Sequence, residues 1–110
     1  MIRATTPRHE FLFEDNPDTF SKMLITYSQQ GKIVLEKTKE DMTFETVNGE
    51  ASSYLGWLRL TQEETKLFSD QMAASVQVRV LTTEGNAYAS QIFQVHISHV
   101  LNDSVLSSHG

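Results

Sequence analysis

The sequence predicts an all-β fold, an immunoglobulin-like antiparallel sandwich of about seven strands with one short helix near residues 61–68. Three observations carry that prediction. Apolar residues recur with a period of two, most clearly in Ser75-Val76-Gln77-Val78-Arg79-Val80. Glycine, asparagine and proline punctuate such stretches at short intervals. A single capping signature, Thr61-Gln62-Glu63-Glu64, marks one helix start.

The elements follow in chain order. His9-Glu10-Phe11-Leu12-Phe13 reads as a first strand with Phe11 and Phe13 on one face, and Asn16-Pro17-Asp18 breaks the pattern after it. Met23 to Ser28 rises as a second strand. Gln29-Gln30-Gly31-Lys32 turns it, with Gly31 as the left-handed residue, and Ile33 to Lys37 returns. Lys37 to Asp41 is a polar run expected in a solvated turn. Thr43 to Val47 is a short strand ahead of Asn48-Gly49, the strongest turn signal in the chain, which Ala51-Ser52-Ser53 lengthens. Tyr54 to Leu60 is another strand, but it is bulky on both faces: Leu58 and Leu60 on one, Leu55 and Trp57 on the other.

In the capping signature, the Thr61 side chain accepts the Glu64 backbone N–H while Glu64 reaches back. Glu63 and Glu64 suit the positive end of the helix. Leu67 and Phe68 are the expected plugs into the core, and Ser69-Asp70 ends the pattern. The three valines of Val76 to Val80 share a face. Thr82 to Asn86 then forms a hairpin turn, and Ala87 to Ser98 returns with Phe93, Val95 and Ile97 facing the same core. Gln91 breaks the alternation of that return strand, which a β-bulge accounts for.

At 110 residues the chain suits one domain, with a sandwich over residues 1–100 and a C-terminal tail over residues 101–110. Hydrophobic residues make up 39% and charged residues 21%, as in a globular domain. The net charge of −5 argues against nucleic acid and against anionic membranes as partners. There is no cysteine, so disulfides and thiolate metal sites are excluded. The opening residues lack the apolar stretch of a signal peptide, and no apolar run approaches the roughly 20 residues of a membrane helix.

Catalytic and metal-binding patterns are weak. His96 and His99 lie three apart, which puts them on opposite faces of a strand. His9 and His109 have no sequence neighbour with which to chelate. There is no G-x-S-x-G elbow and no phosphate-binding glycine loop, and the paired carboxylates Glu14-Asp15 and Glu40-Asp41 read as solvated surface. The expectation is therefore no catalysis, no cofactor, no metal and no small-molecule substrate. Trp57 either fills the space between the sheets or lies outward with Leu55 and Tyr54 as a contact patch; a small sandwich's need for bulk favours burial.

Several segments carry a resemblance. These are Met1-Ile2-Arg3 with Thr5-Thr6-Pro7 and His9, Ile25-Thr26-Tyr27, Gly31-Lys32 with Val34 to Thr38, Leu60 to Thr65, Val78 to Thr82, and Leu101-Asn102-Asp103 with Val105-Leu106. Together they resemble a family of small uncharacterised proteins of phages and prophages of gut Firmicutes, commonly encoded among virion structural genes. The likeness runs nearly end to end, except that Phe44 to Trp57 departs from it and is a few residues longer. The strand pattern is more loosely similar to the N-terminal immunoglobulin-like domain of siphophage upper baseplate proteins. The resemblance implies a protein made in the bacterial host cytoplasm and placed in the virion, in a tail or baseplate, and it assigns no catalytic residue.

Edge strands and flat faces suit such assembly. The expected contacts are the strand around Phe11, the strand around Val47, the Trp57 face, and the apolar Leu101, Val105 and Leu106 of the tail. Self-association and other phage structural proteins are the expected partners. Two readings of the tail stay open: a docking segment, or a segment folded back on its own core. The alternative function is a binding module for a host protein or surface glycan.

Overall fold

The computed structural model describes residues 1–47, 50–90 and 92–107, and only the backbone of residues 50–52. In chain order its elements are β1 (Arg8–Phe13), β2 (Phe20–Gln29), β3 (Lys32–Thr38), β4 (Thr43–Val47), β5 (Glu50–Arg59), α1 (Gln62–Thr65), β6 (Ala73–Thr82), β7 (Ala87–Ala89) and β8 (Phe93–His96). Pro17–Thr19 and Lys39–Asp41 form 3-10 turns.

The strands build an all-β sandwich. One sheet has the order β1-β5-β4; the other runs β3-β2-β6-β7, with β8 also paired to β6. Every strand pairing is antiparallel. The strand order is its own: β2 and β3 form a hairpin within one sheet, whereas the immunoglobulin order places its second and third strands in opposite sheets. Between them, Gln30 and Gly31 both adopt positive φ, 50° and 76°. That pair is what a two-residue type I′ turn requires.

β7 and β8 are one return strand carrying a slip. Arg79 pairs with Ala89 and Val76 with Phe93, so three steps along β6 match four along its partner. One extra residue on one strand is the signature of a β-bulge. Ser90 holds the junction: its hydroxyl accepts the Val78 N–H at 2.9 Å, and its own N–H donates to the Val78 carbonyl at 2.8 Å. The expected Asn48-Gly49 turn and residue Gln91 itself lie outside the described residues.

The core lies between the sheets. Met23, Ile25 and Tyr27 from β2 and Val76, Val78 and Val80 from β6 meet Leu58 and Leu60 from the opposite side. Phe11, Phe13 and Phe44 pack at its margin. Gly56 makes this possible, because it lies opposite both Phe11 and Phe44 on its flanking strands. A Cβ there would come within 2.8 Å of the Phe13 and Phe44 rings. The phenyl rings occupy the space that a side chain would take.

The expected short helix is a single turn, Gln62–Thr65, and its cap is as expected. Glu64 N–H donates to Thr61 Oγ1 at 3.1 Å and Thr61 N–H to Glu64 Oε1 at 2.8 Å. Of the two expected plugs, Phe68 is buried and Leu67 is exposed. The second anchor is Thr65, fully buried, whose hydroxyl donates to the Thr5 and Gln62 carbonyls at 3.2 and 3.0 Å and accepts the Thr5 N–H. Thr65 and Phe68, three apart, share the inward side, and that turns Leu67 outward. Lys37 also departs from expectation: it leaves its polar run to form an ion pair with Glu64, both side chains largely covered.

Candidate functional site

The sandwich is open along one side. β1 is the edge of the three-stranded sheet, and the interrupted β7/β8 strand is the facing edge of the other. Between them runs a cleft in two parts of about 250 and 260 Å³. Phe11 and Phe93 line both parts. Val76, Val78, Val80 and Val95 form the floor, and Glu14 and Asp15 stand at one end.

Two consequences follow from this geometry. First, apolar groups that a closed sandwich would hide stay in water: Tyr88 and Phe93 are 55% and 47% exposed at the cleft, and Leu12 adds an exposed apolar group at its rim from the outer phase of β1. Monomeric proteins seldom keep a contiguous apolar patch without a use for it. Second, among the described residues no strand pairs with the free side of β1 or of β4. Such edges offer backbone N–H and C=O groups to an added strand.

At one end of the cleft His9 and Tyr27 join the sheets. His9 Nδ1 lies 2.7 Å from the Tyr27 hydroxyl, and the two rings are 5.6 Å apart, tilted by 33°. Burial holds the Tyr27 hydroxyl protonated far above its ordinary range, with the nearby Glu64 charge adding to the effect. Burial also lowers the His9 pKa, and the Met1 ammonium adds to that. Burial alone would raise the Glu64 carboxyl, but hydrogen bonds from Lys37 and from the Thr61 backbone outweigh it and leave the group lowered.

The residues singled out by sequence fall in different places. Phe11 sits on an edge strand with its ring in the cleft. Val47 ends the opposite edge strand, half-buried. Trp57 is not between the sheets. Leu58, next to it, takes the inward phase, so Trp57 lies on the outer face of β5. There the Arg8 guanidinium covers its ring at 4.1 Å, and Arg8 is tied to Glu10 at 3.0 Å. Bulk between the sheets comes from the phenylalanines instead, and one face of the indole is taken.

Leu101, Val105 and Leu106 do not reach the core, and the segment is not free either. The Gln62 side chain donates to the Leu106 carbonyl at 3.0 Å and accepts the Leu106 N–H at 2.7 Å. Arg3 pairs with Asp103 at 3.5 Å. The backbone is therefore held along α1 while Leu101 and Leu106 stay 98% and 78% exposed.

Among the histidines, His99 pairs with Asp70 at 2.7 Å on the surface, and His109 lies outside the described residues. Among the described residues no three His, Cys, Asp or Glu side chains gather where they could hold a metal ion. No helix there is long and apolar enough to cross a membrane. No family model and no curated protein sequence matches the chain.

Sequence reasoning assigned Phe93 to the core and passed over Tyr88. The signal that could have found them is the phase slip in the return strand, which falls between Ala89 and Phe93 at the edge of the cleft.

Proposed function

We propose that this chain is a non-enzymatic structural or adaptor protein of a phage tail or baseplate. It acts through protein–protein contacts, with copies of itself and with other phage structural proteins. The observation that carries the reading is the open apolar cleft between the β1 edge and the β7/β8 edge. An extended segment from a neighbouring subunit could pair with the β1 backbone and lay alternate side chains against Phe11 and Phe93. Rings of identical subunits bury such edges, because one surface then meets a different one on the next copy. The family resemblance in the sequence supports the particle as the setting. A glycan-binding reading gains less support, since Arg8 already covers the one indole.

The test is to purify particles from a lysogen encoding the chain and to locate it by mass spectrometry and electron microscopy. We expect it in many copies in the tail or baseplate. We also expect Phe93→Asp to fold and yet to be missing from particles. A chain absent from purified particles would refute the proposal.

A further inference from the structure

The outer face of the five-stranded sheet carries a second concavity, which meets the cleft only at Val80 and Tyr88. It is a groove of about 480 Å³ lined from β2, the end of β3, β6 and β7, so it crosses the strands. Four strands at about 4.8 Å spacing span roughly 14 Å, which matches about four residues of extended chain.

Its chemistry is mixed in a regular way. On adjacent strands Lys22 pairs with Leu81, and Leu24 pairs with Arg79. The two cations are thus diagonal neighbours, and so are the two leucines. Lys22 and Arg79 are both exposed, and among the described residues neither has a carboxylate within ion-pair distance. The cations Arg3, Arg8 and Lys37 each have one. Lys39, at the rim, donates to the Phe20 carbonyl at 2.8 Å. Glu40 is the one acid in the lining, and its carboxylate accepts the Thr38 hydroxyl at 2.8 Å. The groove is therefore net positive in a chain whose net charge is −5.

We infer that this groove docks an extended acidic segment of a partner protein. A carboxylate sits between Lys22 and Arg79, and the apolar side chain two positions along, on the same face of the extended segment, packs against the leucine pair Leu24 and Leu81. Charge complementarity selects an acidic occupant, and the leucine diagonal requires that it also carry apolar groups. A nucleic acid would call for a longer run of cations than Lys22, Lys39 and Arg79 supply. The inference stands apart from the cleft and can fail without it.

The probe is a capped synthetic peptide, Glu-Glu-Leu-Leu-Glu-Glu, which carries both residue types on each face when extended, titrated into isotopically labelled protein at low ionic strength and followed by amide NMR shifts. Its all-glutamine counterpart and an oligothymidylate serve as the other arms. We expect shifts confined to the groove. Affinity should fall about tenfold for the glutamine peptide and for Lys22→Gln/Arg79→Gln, as two surface ion pairs would give. Lys22→Arg should keep binding. Both substituted side chains are exposed, so the variants fold, and an unchanged amide spectrum elsewhere checks that. The inference is overturned by any of four results: no groove shifts at millimolar peptide, equal affinity for the two peptides, shifts at Phe11 and Phe93 instead, or tighter binding of the oligothymidylate.

Discussion

His9 on β1 and Tyr27 on β2 are hydrogen-bonded at 2.7 Å, and the bond joins the edge of one sheet to the centre of the other. With both groups neutral, one proton lies between them. Protonating His9 would put a cation into a partly buried site beside the Met1 ammonium, so its folded pKa lies below the ordinary 6.5. Between those two values the unfolded chain binds more protons than the folded one. Stability from this group is complete above pH 6.5 and falls as the pH drops through the folded pKa. Urea unfolding at a series of pH values should show that slope, and His9→Gln should flatten it. A slope that survives in His9→Gln would assign it to another group.

Gly56→Ala should destabilise the domain by about 1–3 kcal/mol, the usual range for overpacking. Its new methyl would meet the Phe13 and Phe44 rings and the Met42 methyl, all within 2.9 Å. Thermal unfolding measures this. A variant as stable as the parent would mean that the rings yield freely.

Gln29 is buried, and its amide clamps the loop after α1. It donates to the Ser69 carbonyl at 2.9 Å and accepts the Ser69 N–H at 2.8 Å. Gln29→Leu keeps the bulk and strands both backbone groups, which should cost about 1–2 kcal/mol. Hydrogen exchange should report the loss locally, as faster exchange at the Ser69 amide. Unchanged protection there would show that water replaces the clamp.

Thr61→Ala should cost about 1 kcal/mol and Thr61→Ser almost nothing, since the hydroxyl is what caps Glu64. Equal losses in the two variants, measured by chemical denaturation, would transfer the effect to the methyl group.

Removal of residues 101–110 should leave a folded domain, weakened by about 1 kcal/mol or less. Among the described residues it removes a half-buried ion pair, Arg3 with Asp103, and a side-chain clasp on the Leu106 backbone, while Leu101, Val105 and Leu106 are exposed. Circular dichroism and sedimentation of the truncated chain check this. An unfolded product would make the segment part of the core.

Residues adjacent along the chain settled the strand phases, turns and cap. Alternation placed Val76, Val78 and Val80 on one face, where all three are buried. Gly31 marked a turn, Thr61 and Glu64 marked a cap, and Gln91 marked the slip in the return strand. Each is a local rule about one strand, one turn or one helix end. Tertiary structure decided everything that depends on which strands meet. β5 is bulky on both faces, so its own pattern could not say whether Leu58 or Trp57 turned inward. The facing sheet chose Leu58, because the converging phenylalanines already filled the space over Gly56. Lys37 found Glu64, and Thr65 found Thr5, across 27 and 60 positions of sequence. The cleft at Phe11 and Phe93 and the cation–leucine diagonal at Lys22 and Arg79 arise in the same way. Each needs two strands brought side by side or face to face, and only the packing of the whole chain sets that pairing.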